Sequence, residues 1–382
     1  MRNHANAQTT PNALRAQYAH LLAGGAVTQA WIDAYASQTP FWEQAWREGV
    51  GACVWHALLQ QDVHLDPVTR AQCIDQPLRW QTAHTLMLRA GAAEVLRLFA
   101  EAGIDVVMLR GQSIADVLYS PATLRPQTDI DLLIGEPDVH RVENLLLGAG
   151  FAALPNHPLL FARGEVLLDV HTEPLGIERI ASWALLTPLR AGDFFHHASR
   201  GRLLGVPAML PDASVSLPYL CFHAMKHSFE SLVWLWDIAL LARTIVKEDA
   251  WREVSAGIEG YGLQPPCFFA LSYANAHLAA RVPESLLENL RPDMDWRERS
   301  MFRRFMQHEQ VPFLAERVFS RMQPDAMHRL AFWRETIWPS ASVRRQVNAD
   351  PSAKGGFTGK RLRQIGSAAR LLIGEVGSLL RR

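Results

Sequence analysis

Apolar positions along the chain change period twice. Through residues 12–100 they recur three and four apart, the spacing of helices that bury one face. "TPFWEQAWREGVGACVWHALLQ" opens with Thr39 as an expected N-cap and Pro40 at the first helical position, and its Trp42, Trp46 and Trp55 are expected in the core. "LRWQTAHTLMLRAGAAEVLRLFAEAG" predicts a second helix ending at Gly103. The period then shortens. "IDVVML" predicts a strand, "GQSIADVLY" a short helix, "DIDLLI" a second strand, and "EPDVHRVENLLLGAGF" a helix closed by glycine. "LLFARGEVLLDVH" reads as two strands round an Arg-Gly-Glu turn, and "RGRLLGVPAML" as another hairpin. From residue 214 helical spacing returns and runs to about 340, notably through "VSLPYLCFHAMKHSFESLVWLWDIALLARTI". No internal repeat is visible. The pattern predicts an α+β fold, a mixed α/β core flanked by N-terminal and C-terminal helical regions. The expected divisions are 1–100 helical, 101–212 the α/β core, 213–345 helical, and 346–382 a basic tail.

Composition narrows the function classes. Of 382 residues, 49% are hydrophobic and 20% charged, which suits packed globular material. Lysine plus arginine equals aspartate plus glutamate, 38 each, so no global field draws the chain to nucleic acid. The exception is the tail, where Lys354, Lys360, Arg361, Arg363, Arg370, Arg381 and Arg382 face a single acid, Glu375, across residues 351–382. With Leu362, Ile365, Leu372, Val376 and Leu379 at near-helical spacing, it is open to two readings. One is contact with a membrane surface or acidic partner; the other is a terminal helix docked on its own protein. The four cysteines lack any CxxC pair, and the first residues lack the apolar centre of a signal peptide. Both point to free thiols and a cytoplasmic protein.

The chemistry concentrates in "LRPQTDIDLLIGEPD". Alternation along a strand puts Asp129 and Asp131 on one face, where two carboxylates resist joint ionisation. A divalent cation resolves that conflict. A third carboxylate from a neighbouring strand would complete a site for one or two Mg²⁺ ions about 3.5–4 Å apart, and Asp169 in "EVLLDVH" is the candidate. Upstream, Gly111 and Ser113 stand at a strand-to-helix junction suited to phosphate, with Arg110 and Arg125 as cationic contacts to a triphosphate. His171, beside Asp169, either flanks this site or is an ordinary strand histidine. Asp237, alone in the apolar "LVWLWDIALL", requires a partner such as Lys226 or a histidine.

"VVMLRGQSIADVLYSPATLRPQTDIDLLI", followed by "LLLGAGF" and "LLDVHTEP", resembles the nucleotidyltransferase superfamily of the polymerase-β type. More narrowly, it resembles a bacterial group of uncharacterised nucleotidyltransferase-like proteins, with "LPYLCFHAMKHSFESLVWLWDIALL" similar to that group's helical segment. The turn departs from the usual Gly-Gly or Gly-Ser, because Gln112 follows Gly111 and Ser113 comes after it; Arg110 stands where the group prefers lysine. The resemblance implies that the core is a small mixed β-sheet, and that the chain is an ATP- or other NTP-binding transferase that moves a nucleoside monophosphate to an acceptor. Asp129 and Asp131 would hold magnesium, and Asp169 would help to activate the acceptor hydroxyl. Lys226 and His223 would lie on a helix facing the phosphates; a helix side that meets solvent is the alternative. A nucleotide-binding sensor or scaffold on the same fold is the second functional expectation.

Rival motifs fail on their spacing. His223 and His227 are one helical turn apart, but Ala224 occupies the position where a zinc protease needs glutamate. "DVHTEP" has a His-x-Glu but no following P-C-x-x-C. No P-loop, nucleophile elbow or dinucleotide fingerprint is present.

Overall fold

The computed structural model describes residues 10–155, 157, 159–176 and 181–338. Helices of seven or more residues are α1 (Pro11–Leu22), α2 (Thr39–Arg47), α3 (Gly51–Leu59), α4 (Gln76–Glu101), α5 (Gln112–Leu118) and α6 (Val139–Gly148). After the sheet come α7 (Ala213–Lys226), α8 (Leu232–Thr244), α9 (Glu248–Gly260) and α10 (Gln264–Leu278). Four more follow: α11 (Glu284–Leu290), α12 (Trp296–Met306), α13 (Leu314–Arg321) and α14 (Ala326–Ile337). The strands are β1 (Val106–Met108), β2 (Ile130–Ile134), β3 (Ala152–Ala153), β4 (Leu160–Arg163), β5 (Val166–His171), β6 (Ala198–Leu203) and β7 (Val206–Pro211). They form one mixed sheet in the order β3-β4-β5-β2-β1-β7-β6. The fold is α+β, as the change of period predicts.

Both expected hairpins form. Gly164, at φ 60°, turns β4 into β5, and Leu204 and Gly205, both at positive φ, turn β6 into β7. Two apolar runs that read as continuous helix are broken by left-handed backbone. Gly49 at φ 72° separates α2 from α3, and Ser228 and Phe229 separate α7 from α8. Periodicity cannot register such a break, because the apolar spacing resumes on the far side. At the start of α2 the cap shifts by one residue: Gln38 holds the cap position without a side-chain bond, and Thr39 is already helical.

Two apolar cores sandwich the sheet. On one face Val106, Met108, Ile130, Leu132, Ile134, Leu168 and Val170 pack under Leu96 and Phe99 of α4 and Val142 and Leu146 of α6. The alternate positions Val107, Leu109 and Leu133 face a larger core that unites the N-terminal and C-terminal helices, including Phe41, Trp42, Trp55, Phe222, Phe229, Trp236 and Phe269. Polar contacts reinforce that union. The Arg15 guanidinium on α1 donates to the Phe229 carbonyl at 2.7 Å, and Glu48 accepts the Leu232 amide at 2.9 Å. Helix α4, although it closes the N-terminal stretch, therefore serves the sheet, whereas α1 to α3 serve the C-terminal helices. All four cysteines are buried free thiols. No described helix is long and apolar enough to cross a membrane. The basic tail, 346–382, lies outside the described residues.

Candidate active site

The register of two strands builds the centre of the site. β2 and β5 run parallel with Asp131 opposite Asp169 and Leu133 opposite His171. Because side chains alternate, Asp131, Asp169 and His171 share the face of Leu133, the one turned towards the helical core. The Asp131, Asp169 and His171 ligand atoms all lie within 4.8 Å of one another.

Asp131 is the hub. It is 2% exposed, and its Oδ1 accepts from Arg110 Nη2 at 2.7 Å while His171 Nε2 lies 3.4 Å away. His171 Nε2 also lies 3.5 Å from Asp169 Oδ2. Burial favours the neutral acid, but Arg110 and the hydrogen-bonded His171 outweigh it and hold the Asp131 carboxyl below its usual range. For His171 burial again opposes charge, and the two carboxylates overcome it, so its pKa is raised. Asp131 Oδ2 is buried without a hydrogen-bond partner among the described residues. A buried, unpaired carboxylate oxygen beside a second carboxylate and an imidazole fits a divalent cation that takes oxygen and nitrogen ligands.

Asp129 is near this trio but outside it. Half-buried just before β2, it accepts from Thr128 Oγ1 at 3.0 Å. Burial, then repulsion from Asp131, raises its pKa from 3.8 to about 6, with Asp169 adding to the shift. The folded chain thus holds a proton that the unfolded chain releases at lower pH, so this group's stabilising contribution is present below about pH 4 and lost as pH rises through 6. In chelator, Asp129→Asn is therefore expected to raise the melting temperature at pH 7.5, by an amount corresponding to about 2–3 kcal/mol. The gain should vanish towards pH 4. Equal melting curves for the two proteins across that range would show that residue 129 carries no such repulsion.

The turn after β1 sets Arg110. The Leu109 amide bonds to the Asp131 carbonyl at 3.2 Å, and Gly111 then adopts φ 68°, ψ −105°, a conformation strained for any residue with a side chain. Ser113 follows, half-buried in the first turn of α5. Tyr219 on α7 is buried near Arg110, whose charge partly opposes the upward push that burial gives the tyrosine hydroxyl's pKa. One turn further along α7, His223 packs against His227 at 5.0 Å and Trp234 at 5.5 Å between ring centroids. Burial and the charge of Arg110 push its pKa well down, so the ring is neutral. Lys226 lies 4.7 Å over the Trp183 ring.

Arg125 departs from the expected role. It is buried against Asp237, with Nη2 to Oδ2 at 2.7 Å and Nε to Oδ1 at 3.0 Å, and the Tyr119 hydroxyl donates to the same carboxylate at 2.6 Å. The partner required by Asp237 is thus Arg125, not Lys226 or a histidine, and this guanidinium is committed to holding the loop before β2. Gln81 of α4 fixes the same loop by donating to the Thr123 carbonyl at 2.9 Å, as does the Cys53 thiol of α3 on Leu124 at 3.5 Å.

The sequence thus brings Asp131, Asp169 and Arg110 together beside Gly111, with Asp129 electrostatically coupled to them. His171 and Tyr219 join them. His171 was legible by the rule that paired 129 with 131, since it stands two residues beyond Asp169 on the same strand; Tyr219 gave no sequence signal. No curated protein and no solved structure matches the chain. Residues 36–279, which contain every side chain described in this site, match the model of a family described as uncharacterised nucleotidyltransferase, and the chain belongs to that family.

Proposed function

We propose that the chain is a Mg²⁺-dependent nucleotidyltransferase that transfers a nucleoside monophosphate from an NTP to an acceptor hydroxyl, releasing pyrophosphate. The observation that carries this is the direct register of Asp131 with Asp169 on adjacent parallel strands, with His171 completing a compact ligand set. Asp131, Asp169 and His171 would hold the cation, and Asp129 would join them once bound charge relieves its repulsion. When bound, the cation supplies positive charge to the phosphate oxygens and draws the nucleotide to the carboxylates. Arg110, held at 2.7 Å from Asp131, faces the same region and offsets negative charge on the transferred group. Gly111 and Ser113 seat the phosphates, and Lys226 adds a cation from α7. Asp169, less buried than Asp131, takes the acceptor proton. The acceptor is a small molecule, a sugar or a protein hydroxyl.

Incubation of the full chain with each NTP, Mg²⁺ and an acceptor panel is expected to release pyrophosphate and yield NMP adducts by mass spectrometry. Both should disappear in chelator. NTP binding without pyrophosphate release across the panel would instead identify a nucleotide sensor or scaffold.

A further inference from the structure

Two glutamines beside the phosphate turn have no hydrogen-bond partner at either end of their amides. Gln112 is 1% exposed and Gln127 is 6% exposed, and for each residue both Oε1 and Nε2 are buried without a partner among the described residues. They flank Gly111. Gln112 is its chain neighbour, and Gln127 Oε1 lies 3.7 Å from the point where a Cβ on Gly111 would stand. The Asp129 carbonyl oxygen lies 3.9 Å from that same point. A buried polar group left unsatisfied loses its hydration with nothing in return, and these two residues carry four such atoms. Other residue types are available for a purely structural wall. A leucine or methionine would fill the space without that penalty.

The atom types restrict the ligand. Phosphate oxygens only accept, so a phosphate would satisfy the two Nε2 groups and leave both Oε1 atoms buried and unpaired. A cation would satisfy the oxygens and leave the nitrogens. A hydroxyl both donates and accepts, and a pair of adjacent hydroxyls matches two carboxamides. We propose that Gln112 and Gln127 form a hydroxyl-binding subsite beside Gly111 that takes a vicinal diol, supplied either by the ribose of the nucleotide or by a sugar-like acceptor. This rests on the nucleotidyltransferase assignment for its ribose source but not for its diol chemistry. It also gives Gln112, the residue that follows Gly111 in the turn, a binding role.

Gln112→Met and Gln127→Met test it, since methionine keeps the length and removes the polar atoms. Calorimetry on the full chain with Mg²⁺ would compare ATP with its 2′-deoxy and 3′-deoxy forms, and separately titrate free sugars and polyols. If ribose is the ligand, the wild type should prefer ATP over a deoxy form by about tenfold or more, and the variants should reduce that preference to about twofold. If the acceptor is the ligand, ATP affinity should hold while polyol affinity falls by about tenfold or more. The free variants should melt no lower than the wild type, because they lose only unsatisfied groups. Variants that match the wild type in both ligand arms, or that melt well below it without ligand, overturn the subsite. Failure of the wild type to bind any NTP would sink the transferase assignment, and the polyol arm alone would then decide the subsite.

Discussion

Asp131→Asn is expected to lower NMP transfer on the order of a thousandfold, the largest loss from any single carboxylate here. Asp131 contacts both Arg110 and His171, and it is the most buried of the three acids. An asparagine preserves its volume but removes the charge that compensates Arg110 and deprives a cation of a ligand. The Leu109 amide would keep its bond to the backbone carbonyl of residue 131, so the turn at Gly111 should survive and circular dichroism should be unchanged. Pyrophosphate release measured under saturating Mg²⁺ reads the effect. Retention of more than about a tenth of wild-type turnover would show that the hub lies elsewhere.

Asp237→Ala should destabilise the protein by about 3–5 kcal/mol, because it strands the Arg125 guanidinium in a site where both side chains are nearly inaccessible. The Tyr119 hydroxyl loses its acceptor as well. For a chain of this size the melting temperature should fall by roughly 4–6 °C. Arg125→Met combined with Asp237→Leu and Tyr119→Phe should recover most of the loss, since a buried ion pair replaced by apolar groups is often near neutral. A single variant that melts with the wild type would mean that water reaches Arg125. The expected consequence for turnover is secondary: the loop before β2 loses its anchor, and Asp129 loses its position.

Six of the seven strands, the hairpins and the carboxylate pair were legible from short-range apolar patterning, a local property of the chain; the two-residue β3, both residues exposed, left no such pattern. Asp131 and Asp169 could be matched from sequence since both are lone acids in apolar strands; their register could not, because it depends on how β2 and β5 slide against each other. The same limit separates Asp129 from the cluster. Two residues of alternation make 129 and 131 look equivalent, yet only 131 falls opposite a partner on β5. Arg125 was misassigned for a different reason. An arginine in a Pro-flanked loop near acids reads as a phosphate contact, and nothing local reveals that an aspartate 112 residues later will claim it. Breaks at Gly49 and at Ser228–Phe229 were invisible to periodicity for the reason already given, and they let the helices fold back into one shared core.

The clamp on the loop before β2 has a temporal consequence. Its fasteners come from positions 53, 81 and 237, so a chain emerging from the ribosome cannot finish the acidic centre when the last sheet strand has been made. Completion of the centre waits for α8, and a version truncated after residue 212 would carry Asp129, Asp131 and Asp169 yet lack the bolt that holds the loop before the first two.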